Sequence, residues 1–135
     1  CGFDGGRRIS ALFSQVDIMP TVLAAVGLEC PVNVDGVNGL PLLCGEVEEV
    51  RDAVMVECVD DPQGLRLKTI VTKGRKLTWY CRKDYGELYD LEKDPGEKIN
   101  CWDNPEYASD RMRLLARLLD EMEPLEKRVQ RISYA

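Results

Sequence analysis

The amino-acid sequence predicts an α+β fold, in which a small antiparallel β-sheet of about four strands packs against a long C-terminal α-helix, with an additional N-terminal helix. Short apolar, β-branched runs separated by turn residues between positions 53 and 91 indicate the strands. Apolar residues at helical spacing between positions 112 and 122 indicate the long helix. A sheet and a helix that are each apolar on one side bury both surfaces most simply by packing together.

The first predicted helix covers about residues 17–26, where Asp17 is expected to cap the first amides and Gly27 to end the helix in a left-handed conformation. The residues that follow contain several Pro and Asx-Gly turn signals. They predict an ordered loop with a short turn of helix. We therefore expect a connecting segment over residues 1–45 and the α+β subdomain over residues 46–135.

The expected strands are joined by segments rich in turn residues. The second and third strands flank residues 73–76, K-G-R-K, a glycine-containing loop of hairpin length. The four strands are expected at residues 53–59, 67–72, 77–81 and 87–91.

The C-terminal helix is expected to begin at Asn104-Pro105, which suit the cap and the first position of a helix. Pro124 is expected to end or kink it. Its apolar stripe, at helical spacing, is predicted to consist of Met112, Leu115, Ala116, Leu119 and Met122.

Composition narrows the class of protein. The chain has 135 residues, 44% of them apolar, a size and mix typical of one globular domain. Its net charge of −6 makes nucleic acid a poor partner. The apolar run at residues 22–26 is far shorter than the roughly 20 residues that a membrane span needs. We therefore expect neither a nucleic-acid partner nor a membrane partner.

Charge is unevenly distributed along the predicted sheet. Residues 46–61 contain seven acids and one base, whereas residues 62–83 contain seven bases and no acid. Solvated strand faces explain such runs most simply. The alternative is a local positive surface near an anionic substrate.

Histidine is absent, so a Ser-His-Asp triad and a Cys-His pair are excluded. The six cysteines are at least 14 positions apart and form no C-x-x-C pair, so a zinc site would need scattered thiols. Cys58 and Cys81 lie in apolar, strand-like runs, and we expect them to be buried, reduced thiols.

Two other groups of residues have a functional and a structural interpretation, and the structural one is favoured for both. Asp60-Asp61 and Asp103 are oxygen donors for a hard cation, but they lie in polar turns where acids are common. The second group would form a sugar-stacking platform, although aromatic residues in strands more often belong to the core. Its members are Trp79, Tyr80, Tyr85 and Tyr89.

Four segments, in order along the chain, resemble motifs of one known family. Residues 14–21, S-Q-V-D-I-M-P-T, resemble S-x-x-D-[IL]-x-P-T, and residues 35–43, D-G-V-N-G-L-P-L-L, resemble x-G-x-S-L-x-P-L-L. Lys76-Leu77 match the K-L pair of a V-R-T-x-x-x-K-L-I hairpin. The most specific match is residues 86–97 with Asn100, which is very close to E-L-Y-D-L-x-x-D-P-x-E-x-x-N. These are motifs of the sulfatases.

The resemblance implies a parent enzyme that hydrolyses sulfate esters with a formylglycine nucleophile and calcium. Formylglycine arises in C/S-x-P-x-R, and Cys30-Pro31 does not match it. In family order the nucleophile and metal ligands lie upstream, so we expect no catalytic residue and no cofactor in this fragment. The fragment alone is not expected to be an enzyme. Its expected partner is the upstream catalytic domain, through an apolar patch that includes residues 18–26 and also permits self-association.

In sulfatases, hairpin loops of this subdomain border the substrate pocket. The resemblance therefore suggests Lys73, Arg75 and Lys76 as rim residues for a sulfated glycan or an aryl sulfate. Two other functions remain open. One is the tail of a phosphonate monoester hydrolase or phosphodiesterase, which only the upstream nucleophile would distinguish. The other is a stand-alone, non-catalytic interaction module.

Overall fold

The computed structural model describes residues 6–60 and 64–126, with side chains up to residue 124. It confirms the predicted α+β class, with a four-stranded sheet, a long C-terminal helix and an N-terminal helix. No helix within these residues is both long and apolar enough to cross a membrane. The elements are α1 (Ile18–Ala25), α2 (Leu40–Cys44), β1 (Ala53–Asp60), β2 (Leu65–Thr72), β3 (Arg75–Tyr80), β4 (Gly86–Asp90) and α3 (Ala108–Glu126).

The chain forms two compact units, Cys1–Val54 and Met55–Ala135. In the first unit, the prediction that Asp17 caps α1 is wrong, because its buried carboxylate does not bond the first amides of the helix. The carboxylate instead accepts a hydrogen bond from the backbone N–H of Val37 (2.8 Å) and pairs with Arg51. The hydroxyl of Thr21 accepts from the N–H of Gly39 (2.8 Å). Two polar side chains of the helix segment thus order the loop before α2.

Close approach explains two glycines of this loop. A Cβ at Gly36 would lie 1.9 Å from the carbonyl oxygen of Val16, and a Cβ at Gly39 would lie 2.4 Å from the ring of Phe13. Gly27 has a different role: its φ of +74° ends α1 in the left-handed conformation, as predicted.

The sheet of the second unit has the strand order β1-β2-β3-β4, and β2–β3 and β3–β4 pair antiparallel. Ile70, Leu77 and Leu88 lie opposite one another on the three successive strands and are fully buried. Helix α3 packs on β2 and β3 and contributes the buried side chains of Leu114 and Leu118. This layer of aliphatic side chains is the core of the unit.

The hairpin between β2 and β3 is tighter than the sequence predicts. Only Lys73 and Gly74 connect the strands, and Arg75 is already paired with Asp90 in the ladder. The Thr72 hydroxyl donates to the carbonyl of Arg75 (3.2 Å) and helps to close the turn. The prediction of a four-residue loop is therefore wrong for Arg75 and Lys76, which belong to β3.

The predicted apolar stripe of α3 is also wrong. Leu114 and Leu118 face the sheet, whereas Met112 and Leu119 are 65% and 60% exposed. Adjacent leucines occur at both 114–115 and 118–119, so helical spacing alone does not choose between two neighbouring faces. Contacts with the sheet make the choice: the side of the helix that carries residues 110, 114 and 118 buries both leucines and forms the salt bridge from Asp110 to Arg75 of β3.

The start of the C-terminal helix is close to the predicted one, but its end is not. The side chain of Asn104 accepts a hydrogen bond from the N–H of Glu106 (3.0 Å) and begins a 3-10 turn at Pro105 that leads into α3. Helix α3 then continues through Pro124 to Glu126, so Pro124 does not end it, and a kink at Pro124 stays a prediction.

Burial was predicted wrongly for the strand cysteines. Cys58 is an exposed thiol and Cys81 is half-buried. Cys58 lies on β1, an edge strand most of whose residues keep contact with solvent, and Cys81 lies in the turn just after β3. Cys30 and Cys101 are free thiols as well, and Cys44 is disulfide-bonded.

Asp90 lies at the end of β4, and its carboxylate has several hydrogen-bond partners. It is buried and accepts hydrogen bonds from the guanidinium of Arg75 (2.9 Å), the hydroxyl of Tyr107 (3.0 Å), and the backbone N–H groups of Glu92 and Lys93 (both 3.2 Å). Burial alone would raise the pKa of Asp90. The Lys93 amide, the Tyr107 hydroxyl and the positive charge of Arg75 outweigh it and hold this pKa below its ordinary value of 3.8.

Replacing Asp90 with Asn is expected to lower the free energy of unfolding at neutral pH. It is also expected to make that free energy change less as the pH falls into the acid range. A lowered pKa means that, between the folded pKa and 3.8, the unfolded state binds more protons than the folded state. The contribution of Asp90 is therefore complete above the unfolded pKa and is lost as pH falls through the folded pKa. Urea midpoints measured from neutral to acid pH should fall less steeply for Asp90→Asn than for the wild type. The exposed Asp103→Asn is the control, and equal slopes for all three proteins would contradict the prediction.

Candidate functional site

Arg75 faces its own domain. Its Nε donates to Asp110 (2.9 Å), and its Nη1 donates to Asp90 (2.9 Å) and to the carbonyl of Gly74 (2.7 Å), with Glu92 at 3.4 Å. Burial alone would lower the pKa of Arg75, but the surrounding carboxylates raise it above its ordinary value. Its donors join the hairpin tip to β4 and α3, so the arrangement is suited to positioning the tip.

The other two predicted rim cations differ from each other. Lys76 is half-buried, donates to Glu97 (2.5 Å), and places its Nζ 5.9 Å from the ring centroid of Tyr89. Lys73 is exposed at the hairpin tip and has no ion pair within residues 6–60 and 64–126. The structure therefore does not bring the three cations together around one anion, and their place on a substrate rim stays a prediction.

Other bases of residues 62–83 also differ in whether they pair with an acid. Lys68 pairs with Glu57, which supports the solvated strand-face interpretation at this position. Arg82 and Lys83 are exposed in the turn between β3 and β4, at the end of the sheet opposite Lys73. Arg82 has a φ of +66°, which is uncommon for a residue other than glycine.

The strand aromatics are not all core residues. The rings of Tyr80 and Tyr85 lie 4.8 Å apart at 46°, and the side chain of Tyr85 is 48% exposed. The Tyr80 hydroxyl donates to Glu87 (2.8 Å). This bond, with burial second, raises the pKa of Tyr80 to about 12. The strand register, in which Thr78 lies opposite Glu87, places Tyr80 and Glu87 on one face of the sheet, and the sequence alone does not contain this pairing.

The most specific sequence motif is held together by side-chain bonds to the backbone. The Asp94 carboxylate accepts from the N–H groups of Lys98 (2.6 Å) and Ile99 (2.8 Å). Asn100 accepts from the N–H of Leu88 and donates to the carbonyl of Gly86, both at 3.0 Å. These contacts pair part of the outer edge of β4 and give the motif a structural role.

Helix α1 presents an apolar surface to solvent. Ile18, Val22 and Val26 are 53%, 54% and 64% exposed, whereas Pro20 and Thr21 are buried. A typical surface helix has the opposite arrangement. A cavity of about 310 Å³ adjoins this surface, lined by Ile9, Ala11, Phe13, Ile18, Thr21, Val22, Leu42 and Leu43.

The candidate cation ligands of the sequence stay apart. Asp60 ends β1, Asp103 is exposed before α3, and Asp61 lies outside the described residues. Across residues 6–60 and 64–126, no group of three or more Cys, Asp or Glu side chains is arranged to hold a metal ion.

Comparison with known proteins assigns this chain to a family. Residues 2–124 match the family model described as N-sulphoglucosamine sulphohydrolase, C-terminal. The N-acetylglucosamine-6-O-sulfatase of Bacteroides thetaiotaomicron is 32% identical over 86% of this chain and 22% of its own length. The arylsulfatase of Clostridium perfringens is 31% identical over 90% of this chain and 25% of its own length. The chain thus spans about a quarter of the length of these relatives.

Solved structures agree with this assignment. A 2-O GAG sulfatase superposes with a TM-score of 0.74 at 27% identity, over 80% of this chain and 24% of its own. A phosphonate monoester hydrolase from Silicibacter pomeroyi superposes with a TM-score of 0.68 at 24% identity, over the same shares, and this likeness shows the fold alone. The chain belongs to the N-sulphoglucosamine sulphohydrolase C-terminal family of sulfatase domains.

Proposed function

We propose that this chain is the C-terminal domain of an enzyme that hydrolyses sulfate esters of sugars. The observation that carries the proposal is the family match over residues 2–124, together with similarity to longer sulfatases. The names of these relatives include an N-acetylglucosamine-6-O-sulfatase and a Δ4,5-hexuronate-2-O-sulfatase. One similar solved protein is bound to its substrate D-glucosamine-2-N,6-O-disulfate. A sulfated glycan is therefore the substrate class that we assign to the parent enzyme.

In this proposal the chemistry belongs to an upstream catalytic domain. The family resemblance implies formylglycine as the nucleophile and calcium as the Lewis acid that polarises the sulfate oxygens. Asp94 is engaged in a turn and Asp90 in an ion pair, and no group of three or more described Cys, Asp or Glu side chains is arranged to hold a metal ion. We therefore assign this chain a supporting role, in which it completes the fold and the outer rim of the site.

A phosphoryl-transferring parent is the second candidate. The phosphonate monoester hydrolase shares the fold at 24% identity, so the fold does not distinguish the two reactions. In the same structural comparison two sulfatases are 26% and 27% identical, and the matching family model is that of a sulfatase C-terminal domain, so both favour sulfate esters.

The apolar surface of α1 is the proposed contact with the upstream domain. Its branched aliphatic side chains are half exposed, while the polar groups of Asp17 and Thr21 are used within the unit. Burying one such side chain completely contributes about 1 kcal/mol or more beyond its half-buried state. A second copy of the chain would cover the same surface when the upstream domain is missing.

The 135-residue chain on its own is expected to self-associate and to bind a hydrophobic dye. Val22→Glu should reduce both, because a charge on this surface is costly to bury. Light scattering and dye fluorescence measure the two effects. Val32→Glu is the matched control, since Val32 is a fully exposed valine outside α1. A clean monomer without dye binding, or equal effects of both variants, would overturn this use of the α1 surface.

The protein encoded by the full reading frame is expected to hydrolyse an aryl sulfate in the presence of calcium, and to prefer it to the matching phosphate ester. The 135-residue chain alone should show no turnover in the same assay. A preference for the phosphate or phosphonate ester would support the second candidate instead. Turnover by the short chain would contradict the assignment of the chemistry to the upstream domain.

Lys73 is the rim candidate that the structure leaves available. Lys73→Ala in the full-length enzyme is expected to raise KM for a sulfated oligosaccharide roughly two- to fivefold, as for one exposed ion pair, with little change in kcat. Lys98→Ala, which removes another exposed lysine, should leave KM unchanged. Equal KM values for the wild type and Lys73→Ala would remove Lys73 from the rim.

A further inference from the structure

The turn between β3 and β4 carries exposed cations beside an accessible aromatic pair. Arg82 and Lys83 are exposed and have no side-chain partner within the described residues. The turn starts and ends at Tyr80 and Tyr85, whose rings lie 4.8 Å apart. The contact between the two tyrosine rings thus closes the turn, and the side chains of Arg82 and Lys83 are left available to a ligand.

Two contacts fix the turn. The N–H of Lys83 donates to the carbonyl of Tyr80 (3.0 Å), and the Tyr80 hydroxyl donates to Glu87 (2.8 Å). Arg82 adopts a left-handed φ of +66° inside this frame. The Tyr80 ring is therefore held in place before any ligand arrives, with the Tyr85 ring in contact with it, which lowers the entropy cost of binding.

We propose that this turn is a secondary, non-catalytic binding site for a sulfated saccharide chain. The exposed ring of Tyr85 offers an apolar face to a sugar ring, while Arg82 and Lys83 offer charge-assisted hydrogen bonds to sulfate oxygens. The inference rests on the proposed function, because that function supplies the sulfated glycan. The inference also extends the proposed function, because this turn lies at the end of the sheet opposite the rim candidate Lys73 and is therefore a separate site.

Two acidic residues lie near this site, and a negative charge there weakens the binding of sulfate. Glu87 is occupied by the Tyr80 hydroxyl, whereas Asp84 is exposed and has no partner within the described residues. Its negative charge opposes a sulfate at the same turn. Removing it should strengthen binding, whereas removing Arg82 should weaken it.

The experiment uses the protein encoded by the full reading frame and a sulfated oligosaccharide of uronic acid and glucosamine, with its desulfated counterpart. Titration calorimetry gives the affinity, and turnover of a small aryl sulfate is recorded on the same preparations. Arg82→Asn removes the charge with a residue that tolerates the left-handed conformation. It should weaken binding roughly two- to fivefold. Tyr85→Ala should weaken it about three- to tenfold. Asp84→Asn should strengthen it, and Lys98→Ala should leave it unchanged.

Salt separates a charge contact from a folding defect. The difference between the wild type and Arg82→Asn should shrink as salt is raised toward 1 M, where the screening length is about 3 Å. Aryl-sulfate turnover should stay equal in all variants. Unchanged affinities, or losses of turnover in parallel with affinity, would overturn the secondary site. Absence of aryl-sulfate turnover in the wild type would instead contradict the proposed function and leave the affinity comparison intact.

Discussion

The ion cluster centred on Arg75 is the interaction on which the second unit depends. One guanidinium joins the hairpin tip, the end of β4 through Asp90, and the first turn of α3 through Asp110. The pKa of Asp110 is lowered, first by its hydrogen bond to Arg75 and then by the one to Arg113. A buried charge without its partner is costly, so the cluster is stable only when all three elements are in place. It therefore fixes the rotation of α3 as well as the length of the hairpin.

Features of the fold that depend on local sequence could be predicted, whereas those that depend on long-range pairing, as in this cluster, could not. Strand positions and the α+β class follow from apolar alternation and turn residues, which are local properties of the sequence. The rotation of α3 and the role of Arg75 depend on pairing between residues 35 positions apart, which spacing within one helix does not contain. The function of Asp17 was missed for the same reason: its partner Val37 lies 20 positions away, whereas a cap needs only local sequence.

The candidate site was predictable to a smaller extent. The sequence identified the basic run, but not that Arg75 and Lys76 pair with acids, whereas Lys73 and Arg82 have no acidic partner in the part of the chain that the structure describes. The sign of a charge is local, whereas its availability depends on the fold. The identification of the sulfatase family rested on motifs whose polar residues bond the backbone, as Asp94 and Asn100 do. Such residues mark the fold of this domain and not its chemistry.

The two units present different kinds of surface, and this difference bears on how the domain is used. Helix α1 buries its polar groups and exposes branched aliphatic side chains, a pattern suited to permanent burial by a partner. The β3–β4 turn exposes cations and one aromatic face, a pattern suited to a solvated, exchanging ligand. Apolar burial is not screened by salt and is strengthened by salts such as sulfate, whereas contacts between exposed charges weaken as salt is added. The proposed assembly with an upstream domain and the proposed capture of glycan should therefore respond differently to salt, so that the domain is able to remain attached while its ligand exchanges.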